Sequence, residues 1–491
     1  MDLRNLLKKD DLRRLKLLEY LYFHNKQASE EELKKAVNST SYSVLLEDIR
    51  LINQQIPEMT ITRSKNGYVL NHHSGFGLDS LYSHMVSHTP EMKFLELLLY
   101  ETCKTQAEAA DRLFLSLTSF HRLYKKLQRF LAEKNVRIEK NPLRLCGNEF
   151  FIRHLFTVYY KEQRKNTYSF FQDTSLDEEL NQWIVSFAKA NHLEEKYIIH
   201  EQLRIASAVA IIRLKHGHRL FIEKTAEYPD IKFPEEHLSI KLSFAIDPIQ
   251  TAKEIVWNYF SDNHFVSAAH FQHALKANPW VKKIHRFAEL YLKELEESLQ
   301  LSITPDKKQE LVTLFCDDNF VYRSNGDVIT ILRNVRRNFV EEYQQQYPQE
   351  MRVLQSFIDS FIARHQVKIT LDQRCHQLFI LLTKIPDLLE KLMPPLRILI
   401  LSDIAPFHGH FLKEKAQRSL YGNLTFSVIE EIFDQHQAIF EQFRQYDLIF
   451  STFELLHSFP DLPVITVKPI PSLEDFHEYQ LAINQVVKNK L

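Results

Sequence analysis

Eight glycines in 491 residues leave this chain few places for backbone that only glycine tolerates, and that scarcity narrows its architecture. Leu, Lys, Glu, Gln and Phe are plentiful instead, so most of the chain is expected to be helical. The same scarcity removes the glycine-rich loops that cradle phosphates in nucleotide-binding folds.

Length and charge set further bounds. At a prior of about 150 residues per domain, the chain suggests three or four domains. The formal net charge of -1 means that any basic patch is local. The four cysteines, Cys103, Cys146, Cys316 and Cys375, stand far apart without paired spacing, which argues against a disulfide framework or a zinc module. No apolar run reaches the roughly 18 residues of a membrane helix, and the N-terminus MDLRNLLKKDDLRRLK lacks a signal-peptide apolar core. A soluble, cytoplasmic protein without membrane, metal or cofactor is the expectation.

The most informative segment is Thr105 to Gly147, TQAEAADRLFLSLTSFHRLYKKLQRFLAEKNVRIEKNPLRLCG. Gln106–Leu113 reads as a short helix, Phe114–Leu117 as a turn, and Thr118–Glu133 as a longer helix that Ser116 or Thr118 could cap. Phe120, Leu123, Tyr124, Leu127, Phe130 and Leu131 recur at helical spacing and define a packing face. The other face carries Ser119, Arg122, Lys126 and Arg129. Val136–Glu139 and Leu143–Cys146 then read as two short strands around Asn141 and Pro142, a wing. From Arg112 to Arg144 nine Lys or Arg stand against two acids, Glu133 and Glu139, a surplus suited to phosphate contact. A solvated basic face on an ordinary helical hairpin is the plainer alternative.

A weaker version of the pattern comes first. Leu12–His24 is an amphipathic helix, Ser29 opens SEEELKKAV with Glu32 completing a capping box, and Ser41–Gln55 is a third helix. Met59–Leu70 reads as a hairpin turning at Asn66 and Gly67, with Arg63 and Lys65 in this second candidate wing. Glu47 and Asp48 beside Arg50 lower its expected affinity for phosphate.

From Glu149 to about Met393 the pattern is almost entirely helical, with breaks near Gly217, Tyr228–Pro234, Asp247–Pro248, Pro279, Pro305, Gly326 and Pro348. Each half holds a long apolar helix, HEQLRIASAVAIIRLKHGH from His200 and LDQRCHQLFILLTKIP from Leu371. After Pro394 the pattern changes to strand and helix in alternation. LRILIL at Leu396–Leu401, then Leu424–Ile429, Asp447–Phe450 and Val464–Val467, separated by helices Phe411–Leu420 and Glu430–Gln445, imply a small parallel α/β domain.

The fold class is therefore mainly α and multidomain: a winged helix-turn-helix at 1–72, a second with its linker helix at 88–165, helical domains at 166–285 and 286–393, and an α/β domain at 394–491. In this order the chain resembles the Mga and AtxA family of transcriptional regulators of Gram-positive bacteria, with TQAEAADRLFLSLTSFHRLYKKLQ as the most specific element. The resemblance implies that the helical domains are similar to phosphotransferase-system (PTS) regulatory domains and the tail to an enzyme IIB domain. It also implies a cytoplasmic global regulator, often of virulence and carbohydrate genes, that forms homodimers or higher oligomers and is tuned by histidine phosphorylation from a PTS phosphocarrier protein.

Phosphohistidines in such domains stand about seven residues before an Arg, with a Gly four residues beyond. Arg213 and Gly217 match that tail, but the histidine position falls on Ala206, leaving His200, His216 and His218 as neighbours. In the second helical domain His376 has the expected setting with Thr383 in place of the Arg, so the resemblance ranks His376 first, then His200 and His216. Enzyme IIB domains of this type use a loop cysteine, and the matching loop here, Ser402–Phe411, reads SDIAPFHGHF without a thiol. That departure, together with the absence of a compact nucleophile and base pattern, argues against an enzyme and leaves no catalytic residue to name.

The expected partner is double-stranded DNA. Ser119, Arg122, Lys125, Lys126 and Arg129 would enter or flank the major groove, and Arg137, Lys140 and Arg144 would reach phosphates from the wing, with Arg63 and Lys65 of the first unit in support. An RNA-binding antiterminator or a scaffold without nucleic acid is the alternative, disfavoured because Phe120, Tyr124 and Phe130 lie on the packing face.

Overall fold

The computed structural model describes residues 2–23, 27–38, 41–163, 170–171, 174–193, 197–220, 222, 231–234, 248–260, 265, 268–317, 329–429, 443–455 and 462–490. The chain forms two compact units, one of Met1–Ala288 with Val312–Asn338, the other of Glu289–Leu311 with Phe339–Leu491.

The first unit opens with a 3-10 turn, Leu3–Leu6, followed by α1 (Lys9–Phe23), the short strand β1 (Gln27–Ala28), α2 (Glu30–Ala36) and α3 (Tyr42–Gln55). Ser29 and Glu32 form the capping box at the start of α2. The hairpin β2 (Met59–Ser64) and β3 (Gly67–His72) pairs from Met59↔His72 to Ser64↔Gly67, so Lys65 and Asn66 make the loop. Gly67 instead begins a strand, at φ +127°, and a Cβ there would lie 2.2 Å from Ala28 O. Only glycine lets β1 come so close and complete the sheet order β1-β3-β2.

The next three-helix unit repeats the scheme. α4 (Leu78–His88) and α5 (Pro90–Tyr100) precede α6 (Gln106–Arg112), α7 (Leu117–Ala132) and the hairpin β4 (Val136–Lys140) and β5 (Leu143–Gly147). Gly147 at φ +130° has the same role as Gly67, since a Cβ would meet Asn135 O at 2.1 Å. α8 (Glu149–Gln163) leads into α9 (Thr174–Ala190), α10 (Tyr197–Lys215), α11 (Pro248–Ile255) and α12 (Ala268–Ala277). A single contiguous apolar core runs from Leu3 through both winged units to α10 and on to Ile329, Ile331 and Leu332. α13 (Pro279–Leu299), α14 (Pro305–Asp317) and α15 (Val335–Gln346) each have residues in both units.

The second unit continues with α16 (Pro348–His365), α17 (Leu371–Lys384) and α18 (Leu388–Leu392). It ends in a parallel sheet of β6 (Leu396–Leu401), β7 (Leu424–Val428), β8 (Leu448–Ser451) and β9 (Val464–Thr466), ordered β7-β6-β8-β9. Leu396, Ile398 and Ile400 pack under α19 (Pro406–Ser419) and α20 (Leu473–Lys490), while Leu399 points into a separate cluster with Ile449 and Leu462. Burial on both faces is why the strand is apolar from Ile398 onward, with the exposed Arg397 near its start. The expected helix Glu430–Gln445 lies largely outside the described residues, as do the breaks at Tyr228, Asp247 and Gly326.

Candidate nucleic-acid interface

α6 and α7 make the helix-turn-helix. The Thr105 hydroxyl caps α6 by accepting from Glu108 N–H at 3.2 Å, and Ser116, not Thr118, caps α7 by accepting from Ser119 N–H at 3.2 Å. Buried Ala109 and Ala110 keep α6 thin, and Phe120, Leu123, Leu127 and Leu131 seat α7 in the core. Phe120 meets Phe94 edge to face at 5.0 Å. The wing is fixed to α7 from its partly buried side. Tyr124 donates to Ile138 O at 3.1 Å, and Gln128 accepts from Ile138 N–H at 2.8 Å.

The opposite face exposes Ser119, Arg122, Lys125 and Arg129, as well as Thr118 and His121, which the sequence reading passed over. Thr118 lies four residues before Arg122 and His121 four before Lys125, a helical spacing that was the available signal. Arg122, Lys125 and Arg129 make no ion pair among the described residues, so their charges face solvent. Lys126 stands apart from them. It is half-buried, and its Nζ donates to Leu6 O at 3.3 Å and Leu7 O at 3.5 Å, tying α7 to the N-terminal turn.

In the wing, Arg137 and Lys140 are exposed and Arg144 is half-buried. Glu139 lies between two of them, 3.1 Å from Arg137 and 2.7 Å from Arg144. These guanidiniums hold its carboxyl well below the usual range, at about 2. Part of the wing's charge is thus already matched. In the first winged unit, Arg63 and Lys65 are exposed in the hairpin. On α3, however, Glu47 pairs with Arg50 at 2.6 Å, and Asp48 is buried, accepting from Arg13 at 3.0 Å. That helix presents no free cation among its described residues.

Behind the second winged unit lies a buried ionic cluster. Arg213, fully buried on α10, donates to Glu149 at 2.8 and 3.1 Å, to Leu145 O of β5 at 2.9 Å, and to Glu101 at 3.3 Å. Arg153, equally buried on α8, donates to Glu149 at 3.0 Å, Glu254 O at 2.7 Å and His218 O at 3.2 Å. Each guanidinium fork spans several elements, so the wing, α8, α10 and α11 are joined by charge-assisted bonds. Arg213 of the expected phosphohistidine pattern is therefore a structural bolt.

The candidate histidines have unlike settings. His376 on α17 is 1% exposed. His200 is half-buried and His216 is exposed, and desolvation of each ring lowers both below the ordinary histidine value. The expected loop Ser402–Phe411 is helical from Pro406 onward, and in the first turn of α19 His408 Nε2 lies 2.9 Å from Pro469 O and Nδ1 2.8 Å from Ser402 Oγ, so the ring ties the helix start to both segments. Among the described residues no group of three His, Cys, Asp or Glu could hold a metal ion, and no helix is long and apolar enough to cross a membrane.

Tandem winged units, an exposed basic helix face and a large helical body define a helix-turn-helix architecture. Residues 74–160 match the Mga helix-turn-helix domain. Along 92% of its length the chain is similar, at 20% identity, to a protein of Streptococcus pneumoniae serotype 4 described as a trans-acting regulator, covering 93% of that protein. It is also similar to two Bacillus anthracis proteins, the capsule synthesis positive regulators AcpA and AcpB. AcpA is 27% identical over 44% of each chain, and AcpB 20% identical over 47% of this chain and 48% of the relative. The chain thus carries a segment matching the Mga helix-turn-helix domain and is similar to named regulators of Streptococcus pneumoniae and Bacillus anthracis.

Proposed function

We propose that the chain is a cytoplasmic, non-enzymatic regulator that binds promoter DNA as a homodimer or higher oligomer, mainly through α7 and the wing of the second winged unit. The observation that carries this reading is the row of unpaired, exposed cations, Arg122, Lys125 and Arg129, on a helix whose other face is fully seated in the core. In the first winged unit the one cation of α3, Arg50, is paired with Glu47, so that unit contributes through Arg63 and Lys65 of its wing. Two-fold pairing of such units would set half-site spacing by geometry.

The helical domains would correspond to PTS regulatory domains, and the parallel α/β tail, without a cysteine in its Ser402–Phe411 segment, to an enzyme IIB-like domain. On this reading a phosphocarrier protein modifies His200, His216 or His376, and at His216, 3.9 Å from Glu101, the added charge would act on the ionic cluster around that carboxylate. The decisive experiment is a mobility-shift titration comparing duplex DNA with structured RNA at several salt concentrations. Preference for RNA, or binding without salt dependence, would overturn the DNA reading.

A further inference from the structure

The turn between α6 and α7 carries a contradiction that folding alone does not resolve. Phe114 adopts φ +53°, the left-handed region that suits glycine or asparagine, yet its bulky side chain is 95% exposed. The turn itself is held by other groups: Phe114 N–H donates to Asp111 O at 3.0 Å, Leu115 N–H to Ala110 O at 2.9 Å, and Leu115 packs on the core. A glycine at 114 would make the same turn with less strain. Three residues on, Leu117 opens α7 and is 51% exposed, although the helix is already capped by Ser116. Two apolar side chains are therefore held in water at the leading edge of the recognition helix, immediately before the exposed Thr118, Ser119, His121 and Arg122. Strain and exposure that bring no packing in return point to a ligand.

We infer that Phe114 and Leu117 form an apolar reading edge that selects thymine methyl groups in the major groove. The inference rests on the DNA reading above and adds a source of sequence preference to it. The cations of α7 grip phosphates and carry no sequence information, and the short hydroxyls offer few base contacts. The thymine C5-methyl is the one apolar mark in the major groove, which an exposed Leu or Phe at a helix front is suited to contact.

The test begins with selection of bound duplexes from a random-sequence pool by the full chain. In the selected duplex each thymine is replaced in turn by deoxyuridine, which removes only the methyl. The expected result is a loss of about fourfold in affinity at one or two positions, the worth of one buried methyl. Leu117→Ser and Phe114→Ser should abolish that thymine-over-deoxyuridine preference, so that each variant binds the two duplexes equally. Phe114→Gly, which relieves the strained backbone, should lose the preference and melt no lower than the parent, so misfolding cannot account for the result. A parent chain that shows no loss at any thymine, or variants that keep the preference, overturns the inference and leaves DNA binding intact. Failure to enrich any duplex overturns the DNA reading itself.

Discussion

Glu162 at the end of α8 accepts the backbone N–H of Leu332 at 2.7 Å and that of Arg333 at 2.9 Å through a single carboxylate oxygen. It thereby pins a strap, Ile329–Arg333, against the winged-helix end of the chain. Ile331 and Leu332 are fully buried there, Leu3 N–H donates to Thr330 O at 2.9 Å, Arg4 donates to Leu332 O, and Arg333 pairs with Asp79. Since Arg4 also pairs with Glu19 of α1, and Lys126 of α7 holds the same N-terminal turn, the strap touches a node shared by both winged units.

Burial pushes the Glu162 carboxyl up to about 7. The folded state then binds a proton that the unfolded chain releases near pH 4.5, so this group's stabilisation is full below about pH 4.5 and is lost as pH rises through 7. The expected loss is on the order of 2 kcal/mol across that window. Glu162→Gln, which keeps an accepting oxygen but cannot ionise, should flatten the dependence. Denaturant midpoints between pH 5 and 8 check it, and an unchanged slope would exclude Glu162 as the source.

The cations of α7 should separate into two kinds. Arg122→Ala with Lys125→Ala is expected to weaken duplex binding for all sequences and to reduce the slope of log affinity against log salt by up to about 2, one per phosphate contact. Lys126→Ala should leave that slope unchanged and instead lower stability by about 1 kcal/mol, because its hydrogen bonds run to Leu6 and Leu7. Salt titrations and thermal melts on the same proteins distinguish the two outcomes.

Removing the acid in the wing should act in the opposite direction. Glu139→Gln frees Arg137 and Arg144 and is expected to tighten duplex binding and steepen its salt dependence. Since the carboxyl protonates only near pH 2, parent and variant should differ by a constant factor from pH 5 to 8. A difference that vanishes within that range would show that Glu139 is not the acid responsible.

Much of this was legible from residue order. Apolar spacing placed α7 within a residue at each end, and the continuous run LRILIL marked a strand buried on both faces. Local signals cannot report contacts between distant segments, however. Nothing near Lys126 says that Leu6 will accept its proton, nothing near Asp48 says that Arg13 will bury it, and β1 is too short to show an alternating pattern. Likewise Arg213 fits a short phosphohistidine pattern, and only the fold shows Glu149, Glu101 and Leu145 converging on it.

Arg213→Ala should therefore be costly whatever the fate of the histidines. It leaves Glu149 and Glu101 short of a partner in the interior, and a loss of about 3–5 kcal/mol is expected in chemical denaturation. Arg213→Lys, which retains the charge without the fork, should recover only part of it.

Accessibility reverses the order that the resemblance suggests for the histidines. In the native chain, a phosphorylated carrier protein should label the half-buried His200 or the exposed His216 before His376, which has almost no surface to offer. Mapping labelled peptides over time tests this, and His376 labelled first would mean that α17 opens readily.

The clasp between Leu3 and Thr330 also has a consequence during synthesis. At about 10 residues per second, a ribosome needs roughly half a minute to deliver Thr330 after Leu3 has been made. Through that interval the winged units exist without the strap, and Leu3, Leu6 and Leu7, all buried in the finished protein, lack part of their cover. The nascent winged-helix end is thus a different object from the mature one, and it becomes mature only when the chain has been read two-thirds of the way through.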